Sequence, residues 1–109
     1  MKLITAIIRT DDLPVVMNAA ADAGARGLTA SKASGFGQQY GHTRQAIGQP
    51  ILLPKARVDV VVRDEDADAV VNAMSKCANS GSIGDGKIWV SPVEHVVRVR
   101  TGEGDDAAI

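Results

Sequence analysis

With 109 residues, 45% of them apolar and 23% charged, and a net charge of −1, the chain has the size and balance of one globular domain and offers no basic field for nucleic acid. Phe36, Tyr40 and Trp89 are its only aromatic residues, too scattered to stack bases. A single cysteine, Cys77, excludes an intrachain disulfide or a multi-cysteine metal site, and a reducing cytoplasm is the expected setting.

The first element is the apolar run Leu3-Ile4-Thr5-Ala6-Ile7-Ile8. It is too short to span a membrane and lacks the flanks of a signal peptide, so it reads as a strand. Leu3, Thr5 and Ile7 alternate with Ile4, Ala6 and Ile8, which predicts burial on both faces. Asp11 or Asp12 is placed to cap a helix with Pro14 in its first turn and a stripe of Leu13, Val16, Met17 and Ala20, ending at Gly24. A second strand runs through Leu28, Ala30 and Lys32 into the turn Gly35-Phe36-Gly37. From Gln38 to Pro54 no period holds, and Gly41, Gly48, Pro50 and Pro54 interrupt any element, which predicts a loop of 17 residues, long enough to point to function or mobility.

Val58, Val60 and Val62 alternate with Asp59 and Val61 in a third strand. Asp64 then reads as the cap of a helix whose stripe is Ala67, Val70, Val71, Met74, Cys77 and Ala78, which makes Cys77 a core residue. Asp64, Glu65, Asp66 and Asp68 suit a helix start and do not read as metal ligands. Ser80 to Gly86 is a glycine loop, Lys87 to Val90 a fourth strand, and Val93 to Arg100 a further extended run. The order β-α-β-β-α-β predicts an α+β, ferredoxin-like sandwich, with an antiparallel sheet and both helices on one face. The opposite face would still carry Leu3, Ile7, Val61 and members of Ile88-Trp89-Val90, and self-association is the simplest cover for it.

Gly81-Ser82-Ile83-Gly84-Asp85-Gly86-Lys87 fits the G-x-x-x-x-G-K part of a P-loop, but Ile88 stands where that motif needs a hydroxyl. Its context is also reversed, running from helix to strand. What remains is a glycine-lined nest of backbone N–H groups with Lys87 adding charge, or else simply a tight turn. Arg98 and Arg100, two apart on an extended segment, would point the same way as a clamp for phosphate oxygens, and tilt the choice toward a phosphate ligand. His42 and His95 have no nearby cysteine or spaced carboxylate pair, so a binding module is favoured over an enzyme.

The stretches MKLITAII, AGARGLTASKASGFGQQYGHT, IGDGKIWVSPVE and VVRVRTGE, in that order, resemble the PII family of signal-transduction proteins over almost the whole chain. GFG-x-Q-x-GHT, IGDGKI and R-x-RTGE are the specific elements. The resemblance implies a homotrimer that binds ADP, AMP or ATP in clefts between subunits. By position it implies that Thr29, Gly35, Phe36, Gly37, Gln38, Gln39 and Val61 line the nucleotide, with Gly84, Asp85, Gly86, Lys87, Arg98 and Arg100 at its phosphates. Arg9, Gln39, Tyr40, Gly41 and Lys55 would face a small anionic effector, 2-oxoglutarate or bicarbonate, and Gln39 would help hold magnesium when ATP and effector are both bound. Residues 37–54 correspond to the family's T-loop, which docks on a transporter or enzyme, residues 80–87 to its B-loop and 97–109 to its C-terminal segment.

The chain departs from the family pattern in three places. The T-loop is a few residues short, and Ala46 to Leu53 contains neither Tyr nor Ser, so no acceptor for covalent modification is expected there. Gln38 stands where many members carry Arg and Ser82 where many carry Lys, which removes two cationic phosphate contacts. The expectation is a sensor that holds ADP or AMP at least as well as ATP, controlled by ligand alone, with a bicarbonate link and 2-oxoglutarate both left open for its effector. The alternatives are a nitrogen-regulatory PII protein answering to ATP and 2-oxoglutarate, a small nucleotide-hydrolysing enzyme, and an oligomer without a ligand.

Overall fold

The computed structural model describes residues 1–37 and 51–109. In chain order these form β1 (Lys2–Ile8), α1 (Leu13–Asp22), β2 (Thr29–Gly35), β3 (Leu53–Val62), α2 (Ala67–Ala78) and β4 (Gly86–Pro92). The strands pair as β2-β3-β1-β4, antiparallel throughout, which is the ferredoxin-like order predicted from the element sequence. The crossovers through α1 and α2 set β1 and β3 at the centre and leave β2 and β4 at the edges.

Strand alternation decides which side the helices cover. Ile4, Ala6 and Ile8 of β1 and Ala56, Val58, Val60 and Val62 of β3 point to one side and are buried. Val16 and Ala20 of α1 and Ala67, Val70, Met74 and Ala78 of α2 close over them. Met74 is the largest helical side chain in this layer and is fully buried. Met74→Ala should therefore cost about 2–5 kcal/mol, read as a lowered midpoint in denaturant with an unchanged slope.

The other face is open in a single chain. Leu3 lies opposite Val61, Thr5 lies between Asp59 and Trp89, and Ile7 lies between Arg57 and Lys87. Leu3 and Ile7 are only half-buried, and Trp89 is 42% exposed. Thr5 donates to Asp59 at 2.7 Å, and Arg57 donates to the other oxygen at 2.9 Å. The Arg57 hydrogen bond, helped by Thr5, holds the Asp59 carboxyl below its ordinary range. Any stability this pair contributes is present above the ordinary carboxylate pKa and lost as pH falls through the lowered value.

Several local expectations are corrected. Asp11 and Asp12 make no side-chain cap; a 3-10 turn, Thr10–Asp12, leads into α1. Asp64 likewise opens a 3-10 turn, and its carboxylate accepts from the N-terminal ammonium group at 2.7 Å. Met17 and Cys77 are exposed, because the buried stripes run through Val16 and Ala20 and through Val70, Met74 and Ala78. β3 begins at Leu53, inside the span read as loop. Val93 to Arg100 is no strand: Val97 bridges Gly104 and the chain turns back through 99–101.

Candidate functional site

One end of the sheet gathers the end of β1, the end of β2, the start of β3 and the start of β4. Register therefore brings Gly35, Lys55, Ile7 and Lys87 to the same end, and Lys55, Ile7 and Lys87 lie on the open face. The loop from α2 into β4 arches over this end and encloses a cleft of about 440 Å³. Gly35, Phe36, Gly37, Lys55, Ser82, Gly84, Asp85, Gly86 and Lys87 line it.

The loop owes its shape to glycines and to one carboxylate. Gly81, Gly84 and Gly86 have φ of 77°, 100° and 107°, a region closed to most side chains. Gly86 also needs the space, since a Cβ there would stand 1.9 Å from the Ile7 carbonyl oxygen. Asp85 turns its side chain back into the loop and accepts from Ser80 N at 2.8 Å, Gly81 N at 2.9 Å and the Ser80 hydroxyl. Its fourth donor is Arg9, which also reaches Ser80 Oγ at 3.3 Å and the Ile83 carbonyl at 3.1 Å. Ser80 and Arg9, with the two backbone amides, hold the Asp85 carboxyl far below its ordinary range. Lys55 Nζ donates to the Gly84 carbonyl at 3.3 Å.

The cleft thus combines two lysines, a glycine-rich backbone and an apolar wall from Ile7 and Phe36. That chemistry suits an anionic ligand with a flat or apolar part. Among the described residues no three His, Cys, Asp or Glu groups come together as a metal cage.

A second opening lies at the far end of the sheet. Thr29, Val61 and Arg98 line it, together with Leu3, Arg26 and the C-terminal Ile109. From Lys55 to Val61 on β3, or Gly35 to Thr29 on β2, the separation is roughly 20 Å at strand rise. The predicted site residues therefore fall into two groups at opposite ends of one subunit. Arg98 donates to Glu103 at 3.1 Å and to the Ile109 carbonyl at 3.5 Å. Arg100 lies in the turn after it and lines neither opening, so the clamp read from i, i+2 spacing is not formed within one chain. His95 pairs with Asp105 at 2.8 Å in the same C-terminal segment.

Gln38, Gln39, Tyr40 and Gly41, with His42 and most of the predicted T-loop, lie outside the described residues. The sequence reading missed Ser80 and the role of Arg9 in the loop. Arg9 and Asp85 are 76 positions apart, and only the β1–β4 pairing shows that they meet.

Comparison with known proteins adds the family to this geometry. Residues 1–103 match the protein family described as Nitrogen regulatory protein P-II. The chain is 43% identical to Nitrogen regulatory protein GlnK of Escherichia coli strain K12, with the whole of both chains covered. It is 46% identical to Nitrogen regulatory protein P-II 2 of Methanothermobacter thermautotrophicus, covering 100% of this chain and 97% of the relative. With Nitrogen regulatory protein P-II of Rhizobium meliloti it shares 48% identity over 94% of this chain and 95% of the relative.

Proposed function

Since this chain belongs to the P-II family of nitrogen regulatory proteins, we propose that it is a nitrogen-regulatory sensor of the cytoplasm, a homotrimer that binds adenine nucleotides between subunits and reports their state through its T-loop. As a P-II protein it is a signal transducer and not an enzyme. The observation that carries the nucleotide assignment is the glycine loop over Lys55 and Lys87, facing Gly35, Phe36 and Gly37 in one cleft. Backbone N–H groups and Lys87 would take the phosphates, and the apolar wall the base.

A trimer explains why the site residues are split. A head-to-tail ring sets one end of a subunit beside the opposite end of the next. Thr29, Val61, Arg98 and Arg100 of one chain would then complete the cleft formed by Gly35 to Gly37 and residues 84–87 of its neighbour. Lys55, just after the T-loop, would meet the effector carboxylate, together with Gln39, Tyr40 and Gly41 from the loop's other end. Magnesium would join through Gln39 when ATP and effector are present. The readout is linkage: a ligand favours the loop arrangement to which it binds more tightly, and a transporter or enzyme reads that arrangement.

The names of the relatives favour nitrogen regulation over a bicarbonate-linked role, and 2-oxoglutarate is the effector we propose on that basis. Calorimetric titration with AMP, ADP and ATP, each with and without 2-oxoglutarate or bicarbonate, tests this. We expect 2-oxoglutarate to bind only with ATP present, while bicarbonate changes nothing. Flat titrations with all three adenylates would overturn the sensor reading.

Ser82 lines the cleft where many family members carry Lys. ADP is therefore expected to bind at least as tightly as ATP without effector. Ser82→Lys should raise ATP affinity relative to ADP by about 10-fold, the size of one charge-assisted contact. An unchanged ratio in the same titration would show that the terminal phosphate does not lie near residue 82.

A further inference from the structure

We infer that Arg9 is a positioning residue for the phosphate-binding loop, clamping it from behind through Asp85, Ser80 and the Ile83 carbonyl; this rests on the nucleotide-binding reading above and goes beyond it. Arg9 directly follows β1 and is not among the residues that line the cleft. All its contacts with the loop lie on the loop's own framework: the Asp85 carboxylate, Ser80 Oγ and the backbone oxygen of Ile83. Asp85, although it lies in the binding motif, turns its charge toward Arg9 and the amides of Ser80 and Gly81. Its negative charge is thereby neutralised where phosphate would otherwise be repelled.

The backbone contact sets direction. In a planar trans peptide the C=O and the following N–H point opposite ways. Arg9 holds the Ile83 carbonyl, so the Gly84 N–H is turned away from Arg9. Lys55 holds the Gly84 carbonyl and fixes the next peptide plane. With φ of 100°, Gly84 is free to let this peptide rotate, and the clamp is what selects one orientation of the nest. A guanidinium suits the task because it can serve three acceptors in one plane.

The test is an affinity series on the intact protein without effector. Arg9→Gln should weaken ADP and ATP binding alike, by about 10-fold, and Arg9→Lys by less, since one donor group remains. Asp85→Asn should act in the same direction, and the double variant should be no weaker than the worse single one, the signature of a coupled pair. In the ligand-free protein, Arg9→Gln should also speed amide exchange at Ser80 and Gly81 while the melting temperature and trimer are kept. If Arg9→Gln leaves adenylate affinity and exchange unchanged, or lowers only effector affinity, Arg9 is not a positioning residue. A parent protein that binds no adenylate would overturn the functional reading itself, and this inference with it.

Discussion

Gly86→Ala is expected to destabilise the protein by roughly 3–5 kcal/mol and to abolish nucleotide binding in whatever folded protein remains. Gly86 opens β4 opposite Ile8, and its φ of 107° already excludes an ordinary side chain. The added Cβ would lie 1.9 Å from the Ile7 carbonyl oxygen, a main-chain atom that cannot rotate aside. Relief requires the start of β4 to leave β1, and Lys87 moves with it. Gly81→Ala provides the comparison: its φ is 77°, but among the described residues no atom beyond its chain neighbours stands within 4 Å of its Cβ position. It should cost only the conformational penalty, about 1–2 kcal/mol. Equal losses in denaturant unfolding would mean that conformation and not the clash governs Gly86, and an ADP affinity unchanged in Gly86→Ala would remove the loop from the site.

The fold was legible in the sequence because its decisive signal is alternation. Ile4, Ala6 and Ile8 against Leu3, Thr5 and Ile7 announce a central strand with two demanding faces, and the structure sets β1 between β3 and β4. The errors came where a local rule met a tertiary one. Pro54 reads as a breaker, yet β1 pairs with β3 only from Ala56 onward, so at Pro54 the strand has β2 alone beside it and a missing N–H is tolerated. Cys77 fits a helical stripe by spacing, but the stripe that faces the sheet is narrow and Met74 and Ala78 fill it. Arg98-Val99-Arg100 alternates like a strand, while Gly102, with φ of 74°, folds the segment into a turn and sends Arg98 to Glu103. The glycine loop was visible as a phosphate nest because glycines and a lysine mark it locally. Its brace was not, because no spacing rule links Arg9 to a carboxylate in a loop after α2.

Trp89→Glu should leave each chain folded yet separate the proposed trimer, and with it lower ADP affinity by at least about 100-fold. Trp89 lies on the open face beside Thr5, outside the layer that the helices bury, so the substitution removes no core contact. It does place a carboxylate on the face that carries the half-buried Leu3 and Ile7. A carboxylate buried there against a second copy carries a desolvation cost in place of the apolar contact that Trp89 would make, a loss an interface tolerates poorly. Nucleotide binding should fall even though every cleft residue remains. Gly35, Lys55, Gly84 and Lys87 lie at one end of the sheet, and Thr29, Val61 and Arg98 lie at the other. A single chain can offer a ligand only one of these groups at a time. Val15→Glu on the outer side of α1, where Val15 is 50% exposed, should change neither property. Sedimentation velocity and ADP titration on the same samples decide the matter. A Trp89→Glu protein that stays trimeric would show that the open face is not the interface. A monomer with full ADP affinity would show that one cleft alone is the site, and the opening around Arg98 would lose its assigned part in phosphate binding.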